Sequence, residues 1–172
     1  YGGVFQGCSG FTGNLVIPDN VELIRGYCFS GCNGFYGDLR LPSKLKRMGV
    51  CAFSYCSGLT GSLTIPQGII SIPSEAFKNC GFDGTLTLHD GIVNIANDAF
   101  ANCHFKGELH LPRNLKTISN NAFGNNDFSG NLNLPSTLMH IGSSAFANNW
   151  RLMGVLDIPY GVESIGESAF TN

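Results

Sequence analysis

With 172 residues the chain is long enough for one domain or one stretch of a repeat array, and its 43% apolar residues can supply a core. Charged residues make up only 13%, against roughly 25% in ordinary soluble domains, so small polar residues should cover the surface. A formal net charge of −2 gives no reason to expect nucleic acid or an anionic membrane as partner. No apolar run approaches the roughly 20 residues of a membrane-spanning helix.

A fixed period organises everything else, and it can be read from phenylalanine alone. Phe5, Phe29, Phe53, Phe77, Phe100, Phe123, Phe146 and Phe170 stand 24, 24, 24, 23, 23, 23 and 24 residues apart. Following the chain from each of these, the next column is Cys8, Cys32, Cys56, Cys80 and Cys103, continued by Asn126 and Asn149. A second aromatic column comes next: Phe11, Phe35, Phe82, Phe105 and Phe128, with Leu59 and Leu152 in its gaps. Then come a glycine (Gly13, Gly37, Gly61, Gly84, Gly107, Gly130, Gly154) and an alternating pair such as Leu63-x-Ile65 or Leu109-x-Leu111. Period-two alternation predicts one short strand with one face buried. Proline follows the pair in every unit except one, where His89 stands, and proline ends a strand because it cannot donate to a ladder. Apolar positions three and six residues further on, such as Ile69 and Ile72, predict a looser turn. That turn should lead into a short helical or 3₁₀ segment, Ser74-Glu75-Ala76-Phe77 and its equivalents, which carries the Phe inward.

A unit this short cannot bury its apolar face alone, so neighbours must stack and share a continuous core. The expected fold is therefore an α/β solenoid with one short parallel strand per 23–24-residue unit and helical or 3₁₀ turns on the other side. About seven units fill residues 1–172 as one array, and both termini fall inside a unit, as in a piece of a longer array. The extra residue of the longer units falls between the Cys/Asn and Gly columns, outside the strand, and should leave its register intact.

The run from Ala99 to Ile118, Ala-Phe-x-Asn-Cys-x-Phe-x-Gly-x-Leu-x-Leu-Pro-x-x-Leu-x-x-Ile, resembles the BspA-type leucine-rich repeat. The resemblance spans essentially the whole chain, because the Leu-Pro and Ala-Phe steps recur together. It implies a right-handed superhelix belonging to a large surface or secreted protein, with adhesion to host or extracellular-matrix proteins as the associated role. Two departures are His89 in the proline column and Asn126 and Asn149 in the cysteine column.

Chemistry-bearing residues offer less. Parallel side chains in stacked coils sit about 4.8 Å apart, beyond the usual 3.5–4.5 Å between bridged Cβ atoms. The seven cysteines, an odd number, should therefore be free buried thiols meeting backbone groups at a turn. His89, His104, His110 and His140 occupy four different positions of the unit, so no metal centre is expected to converge. No Ser-centred elbow or phosphate-cradling loop occurs, and no catalytic site or cofactor is expected.

What remains is the outward face of the predicted strand: Val16, Arg40, Thr64, Thr87, His110, Asn133 and Asp157. This row is polar and mixed in sign. A protein-binding face would draw on Arg40, Thr64, Thr87, His110, Asn133 and Asp157, with Trp150 and Tyr160 as exposed aromatic anchors. The competing expectation is a passive spacer that displays another domain.

Overall fold

The computed structural model describes residues 2–172 and shows a parallel β-solenoid whose coils stack at the spacing of the repeat. The strand is not solitary: three sides of the coil carry parallel pairings. The Leu-x-Leu side pairs Leu63–Thr64 with Leu86–Thr87 and bridges Val16 to Arg40. The side after the proline forms the largest sheet, five strands running Ser71–Ile72, Asn94–Ile95, Thr117–Ile118, His140–Ile141 and Ser164–Ile165. Leu23–Ile24 and Arg47–Met48 pair at the same repeat position nearer the N-terminus. On the third side, Lys106–Gly107, Asp127–Asn131 and Arg151–Met153 form a sheet, and Gly37–Asp38 pairs with Leu59–Thr60. Here the register is staggered: Gly37 opposes Leu59, Gly107 opposes Phe128 and Gly130 opposes Leu152, so these three column glycines meet the second apolar column of the next coil. A two-residue stagger leaves every side chain on its own face.

The Pro-x-x-Leu step is a tight turn, in which the Pro66 carbonyl accepts from the Ile69 amide at 3.0 Å and Pro112 from Leu115 at 3.1 Å. His89 keeps that turn, accepting from Ile92 at 3.2 Å, and adds a ring bridge. Its Nδ1 accepts from the Gly91 amide at 3.1 Å, which leaves Nε2 to donate to the Pro66 carbonyl of the preceding coil at 3.0 Å. The departure from proline thus exchanges a rigid ring for a cross-coil hydrogen bond.

The expected helical or 3₁₀ segment does not form, so the fold is not α/β; no helix occurs among the described residues. The reason is visible around Phe100. Asp98 and Asn102 adopt the left-handed conformation, with φ of 55° and 53°, and interrupt any helical run. Amides alternate in their use. Those of Asp98, Phe100 and Asn102 donate to the carbonyls of Asn120, Ala122 and Gly124 in the next coil, at 2.9, 2.9 and 3.0 Å. Those of Ala99 and Ala101 close local turns onto Ala96 and Asp98 at 3.3 and 3.2 Å. Every second amide is thus committed to the neighbouring coil, where a helix would need all of them at home.

Phenylalanine lies inward through the middle coils, while Phe5 and Phe11 in the first coil are exposed. The first column is an unbroken stack from Phe5 to Phe170, with centroids 5.3–5.6 Å apart and planes within 12°. The second column meets it edge-on, as Phe100 with Phe105 at 6.2 Å and 77°. Both arrangements suit the ring quadrupole. Phe53, Phe77, Phe100, Phe123 and Phe146 have no exposed surface.

Beside this stack runs the Cys/Asn ladder. The thiols of Cys32, Cys56, Cys80 and Cys103 donate to the carbonyls of Phe5, Phe29, Phe53 and Phe77 in the preceding coil, at 2.9–3.1 Å. Asn126 does the same to Phe100 at 2.9 Å and Asn149 to Phe123 at 2.9 Å. The substitution of Asn for Cys therefore preserves the donor. All seven cysteines are free. Burial pushes the Cys56 and Cys103 thiols up to about 12, and Cys80 well above its ordinary value of 9.0.

The thiolate, not the thiol, is the nucleophile, so Cys8 and Cys28, which are partly exposed, should label first with a maleimide or disulfide reagent at pH 8. Cys32, Cys51, Cys56, Cys80 and Cys103 are buried and should label only as fast as the coils open. The same burial predicts a pH dependence. Below about pH 9 both states hold these protons and stability is unaffected; between about 9 and 12 only the unfolded chain releases them, so stability falls as pH rises. Urea midpoints measured from pH 8 to 11 should show this decline, and Cys103→Asn should make it shallower.

Candidate functional site

The polar row named from the sequence lies on one side of the solenoid. Thr64 and Thr87 are in register on paired strands, and Arg40 bridges Val16. His110, Asn133 and Asp157 follow at the same repeat position, exposed like the others, though no ladder joins them. Two carboxylates flank the row: Asp19 lies 3.8 Å from Arg40, and Glu108 lies 3.7 Å from His110. Both pairs are well exposed, and such pairs contribute little to stability. The row remains mixed in sign. A shallow groove of about 440 Å³ crosses it between two coils, lined by Arg40, Ser43, Ser62, Thr64 and Gln67 among others.

Trp150 and Tyr160 are both exposed, Trp150 by 70% and Tyr160 completely. They do not join the row. Trp150 follows the Phe turn, one residue beyond the buried Asn149, and Tyr160 follows the proline that ends the Leu-x-Leu side. The six polar residues thus share a face, while the two aromatics stand on separate corners of the coil.

Sequence reasoning passed over three further exposed aromatics, Tyr27, Tyr36 and Tyr55. Tyr27 and Tyr55 occupy the left-handed positions two residues before and after a stacked Phe, with φ of 59° and 60°. Equivalent positions elsewhere hold Glu75, Asp98, Asn79 or Asn102. An aromatic in a column of small polar residues was the available signal, the same one that singles out Trp150. The five-stranded sheet also has an outward row, Ser71, Asn94, Thr117, His140 and Ser164, which the expectation of one strand per unit overlooked. There His140 Nδ1 lies 3.0 Å from Ser164 Oγ, and its Nε2 3.8 Å from Glu163.

No group of three or more metal-ligating side chains converges among the described residues. No helix there is long and apolar enough to cross a membrane.

Comparison with known proteins agrees with this architecture. The family model for the BspA type Leucine rich repeat region matches in six copies, over residues 2–106 and 60–172. No curated protein gives a significant match. Two chains of solved structures match. One is a leucine-rich repeat protein from Bacteroides ovatus ATCC 8483, 27% identical with a TM-score of 0.71; the alignment covers 96% of this chain and 48% of that one. The chain therefore spans about half the length of that protein.

Proposed function

Since the chain belongs to the BspA-type leucine-rich repeat family, we propose that it is the non-catalytic protein-binding module of a cell-surface or secreted protein, adhering to host, extracellular-matrix or other cell-surface proteins. Leucine-rich repeat domains in general act as protein-interaction scaffolds, and the BspA type is typically surface-associated. The observation that carries the reading is the polar row of Arg40, Thr64, Thr87, His110, Asn133 and Asp157, exposed at one repeat position on coils that are hydrogen-bonded to one another along their other sides. Rigid display of this kind lowers the ordering cost of binding. Trp150 and Tyr160 supply the large amphipathic surfaces that anchor interfaces.

The test is equilibrium binding of the folded chain to a panel of immobilised matrix and cell-surface proteins. Saturable capture is expected, weakened at least about tenfold by combined Arg40→Ala, Thr64→Ala and Thr87→Ala substitution, equivalent to about 1.4 kcal/mol. Capture that ignores these substitutions would move the contact off the row. Failure of the folded chain to bind any member of the panel would favour a passive spacer.

A further inference from the structure

The corner around Trp150 differs in chemistry from the rest of the surface. Successive coils carry His104, Asp127 and Trp150 at one repeat position, each 23 residues from the next, on the side where the register is staggered and Asp127 opposes Lys106. Two residues upstream, Asn125 and Asn148 hold left-handed conformations with φ of 55° and 57°. Asn148 Nδ2 donates to Asn125 Oδ1 at 2.8 Å. That bond orients both amides and leaves the Asn148 carbonyl oxygen and the Asn125 amino group without a protein partner among the described residues. These five side chains line one shallow groove of about 210 Å³, floored by Cys103 and Asn126.

The groove is rigid, because its floor is the Cys/Asn ladder. Asn126 and Asn149, immediately before Asp127 and Trp150, are buried and each donate to three carbonyls. The backbone that carries the carboxylate and the indole is thus fixed on the inward side.

The combination selects a ligand class. A broad exposed indole face takes an apolar surface, but the rest of the rim offers planar amides, an imidazole and one carboxylate, all of them hydrogen-bonding groups. No lysine or arginine lines the groove to recruit phosphate or sulfate. Its volume is below the roughly 300–1,000 Å³ of sites for drug-sized ligands, enough for one small ring. A single molecule that presents an apolar C–H face on one side and adjacent hydroxyls at its edge is a pyranose. We propose that Trp150, Asp127, His104, Asn125 and Asn148 form a subsite for a neutral saccharide residue, with the sugar ring against the indole and its hydroxyls bonded to the carboxylate and amides. This goes beyond the protein-binding reading and does not depend on it: the subsite would accept a free oligosaccharide.

Trp150 is the single tryptophan, which makes the test specific. The chain labelled with ¹⁵N is titrated with glucose, galactose, mannose, N-acetylglucosamine and their β-linked and α-linked oligomers, following the lone indole N–H resonance, with glycerol and a tripeptide library as controls. A saturable shift with at least one sugar and none with glycerol is expected. Trp150→Ala should abolish binding, read from the Asn125 and Asn148 side-chain resonances, while Asp127→Asn and Asn148→Ala should weaken it about three- to tenfold, the loss of one hydrogen bond each. Because Trp150 is exposed, Trp150→Ala should unfold at an unchanged urea midpoint, which separates lost binding from lost fold. Equal shifts with glycerol and sugars, no shift with any sugar, or a shift with peptides alone would each overturn the proposal, the last in favour of a protein contact at this corner.

Discussion

Replacing Phe100 with alanine should destabilise the chain by about 3–5 kcal/mol, the range for a fully buried aromatic truncated in a close-packed core. Phe100 has no exposed surface, stacks on Phe77 at 5.5 Å and Phe123 at 5.6 Å, and meets Phe105 edge-on. Removing it breaks the first aromatic column and takes away the ring that Phe105 of the second column meets edge-on. Its backbone amide also bonds the next coil, so the turn that carries it cannot easily collapse into the space. Loss at the end of the stack should cost less, because Phe170 is partly exposed and stacks on Phe146 alone. Urea denaturation of both variants checks the order. In a solenoid the effect depends on which neighbours a coil keeps, so Phe100→Ala should also broaden or split the single transition, which far-UV circular dichroism with fluorescence of Trp150 would detect. Equal, small losses at Phe100 and Phe170 would mean that the stack contributes no more than ordinary surface packing.

Asn126 carries the second large effect. Its side chain donates to the carbonyls of Phe100, Phe123 and Gly124 at 2.9, 3.0 and 3.2 Å, and accepts from the Phe105 amide at 3.2 Å. Leucine has a similar size but leaves these buried backbone groups without that partner, and each such loss costs about 1–3 kcal/mol. Asn126→Leu should therefore lose on the order of 4 kcal/mol, less than the full sum because the groups share one site. Asn126→Cys restores what Cys103 does one coil earlier, donating to a Phe carbonyl at 3.1 Å, and should lose only about 1–2 kcal/mol. The comparison isolates hydrogen bonding from volume. If leucine were tolerated as well as cysteine, the column would be packing alone. Asn149 sets a boundary on the argument: its Oδ1 is buried without a partner among the described residues, so the acceptor half of the ladder is not essential in every coil.

Much of this fold was legible in the residues. The two Phe columns, the Leu-x-Leu strand, the Pro-x-x-Leu turn and the Cys/Asn ladder follow from spacing and burial, and the family resemblance rested on the same run from Ala99 to Ile118. The helical turn was misread because Ser74-Glu75-Ala76-Phe77 has good helix composition, whereas the deciding feature lies in backbone sign. The column Gly7, Gly31, Tyr55, Asn79, Asn102, Asn125 and Asn148 is, apart from Tyr55, made of the residues that accept positive φ most readily. Read as a column, it marks a left-handed position in every turn and argues against a helix. The extra strands could not be read from periodicity, since two-residue segments such as Asn94–Ile95 contain no alternation to detect. They exist because neighbouring coils lie parallel wherever both are extended. The polar row was legible as a face, but its separation from Trp150 and Tyr160 depends on which corner each loop turns, and spacing alone does not specify that.

Hydrogen exchange tests the central claim, that each coil is held by its neighbours and so presents rigid surfaces, more directly than any substitution. If the claim holds, the amides of Phe53, Phe77, Phe100 and Phe123, which bond the next coil at 2.9 Å, should exchange as slowly as those of the five-stranded sheet. Their protection should end together with that of the sheet as urea is added. Fast exchange in these Phe turns beside a protected sheet would contradict it, and would describe mobile loops hung on a narrow β-ladder instead of a coil bonded on every side.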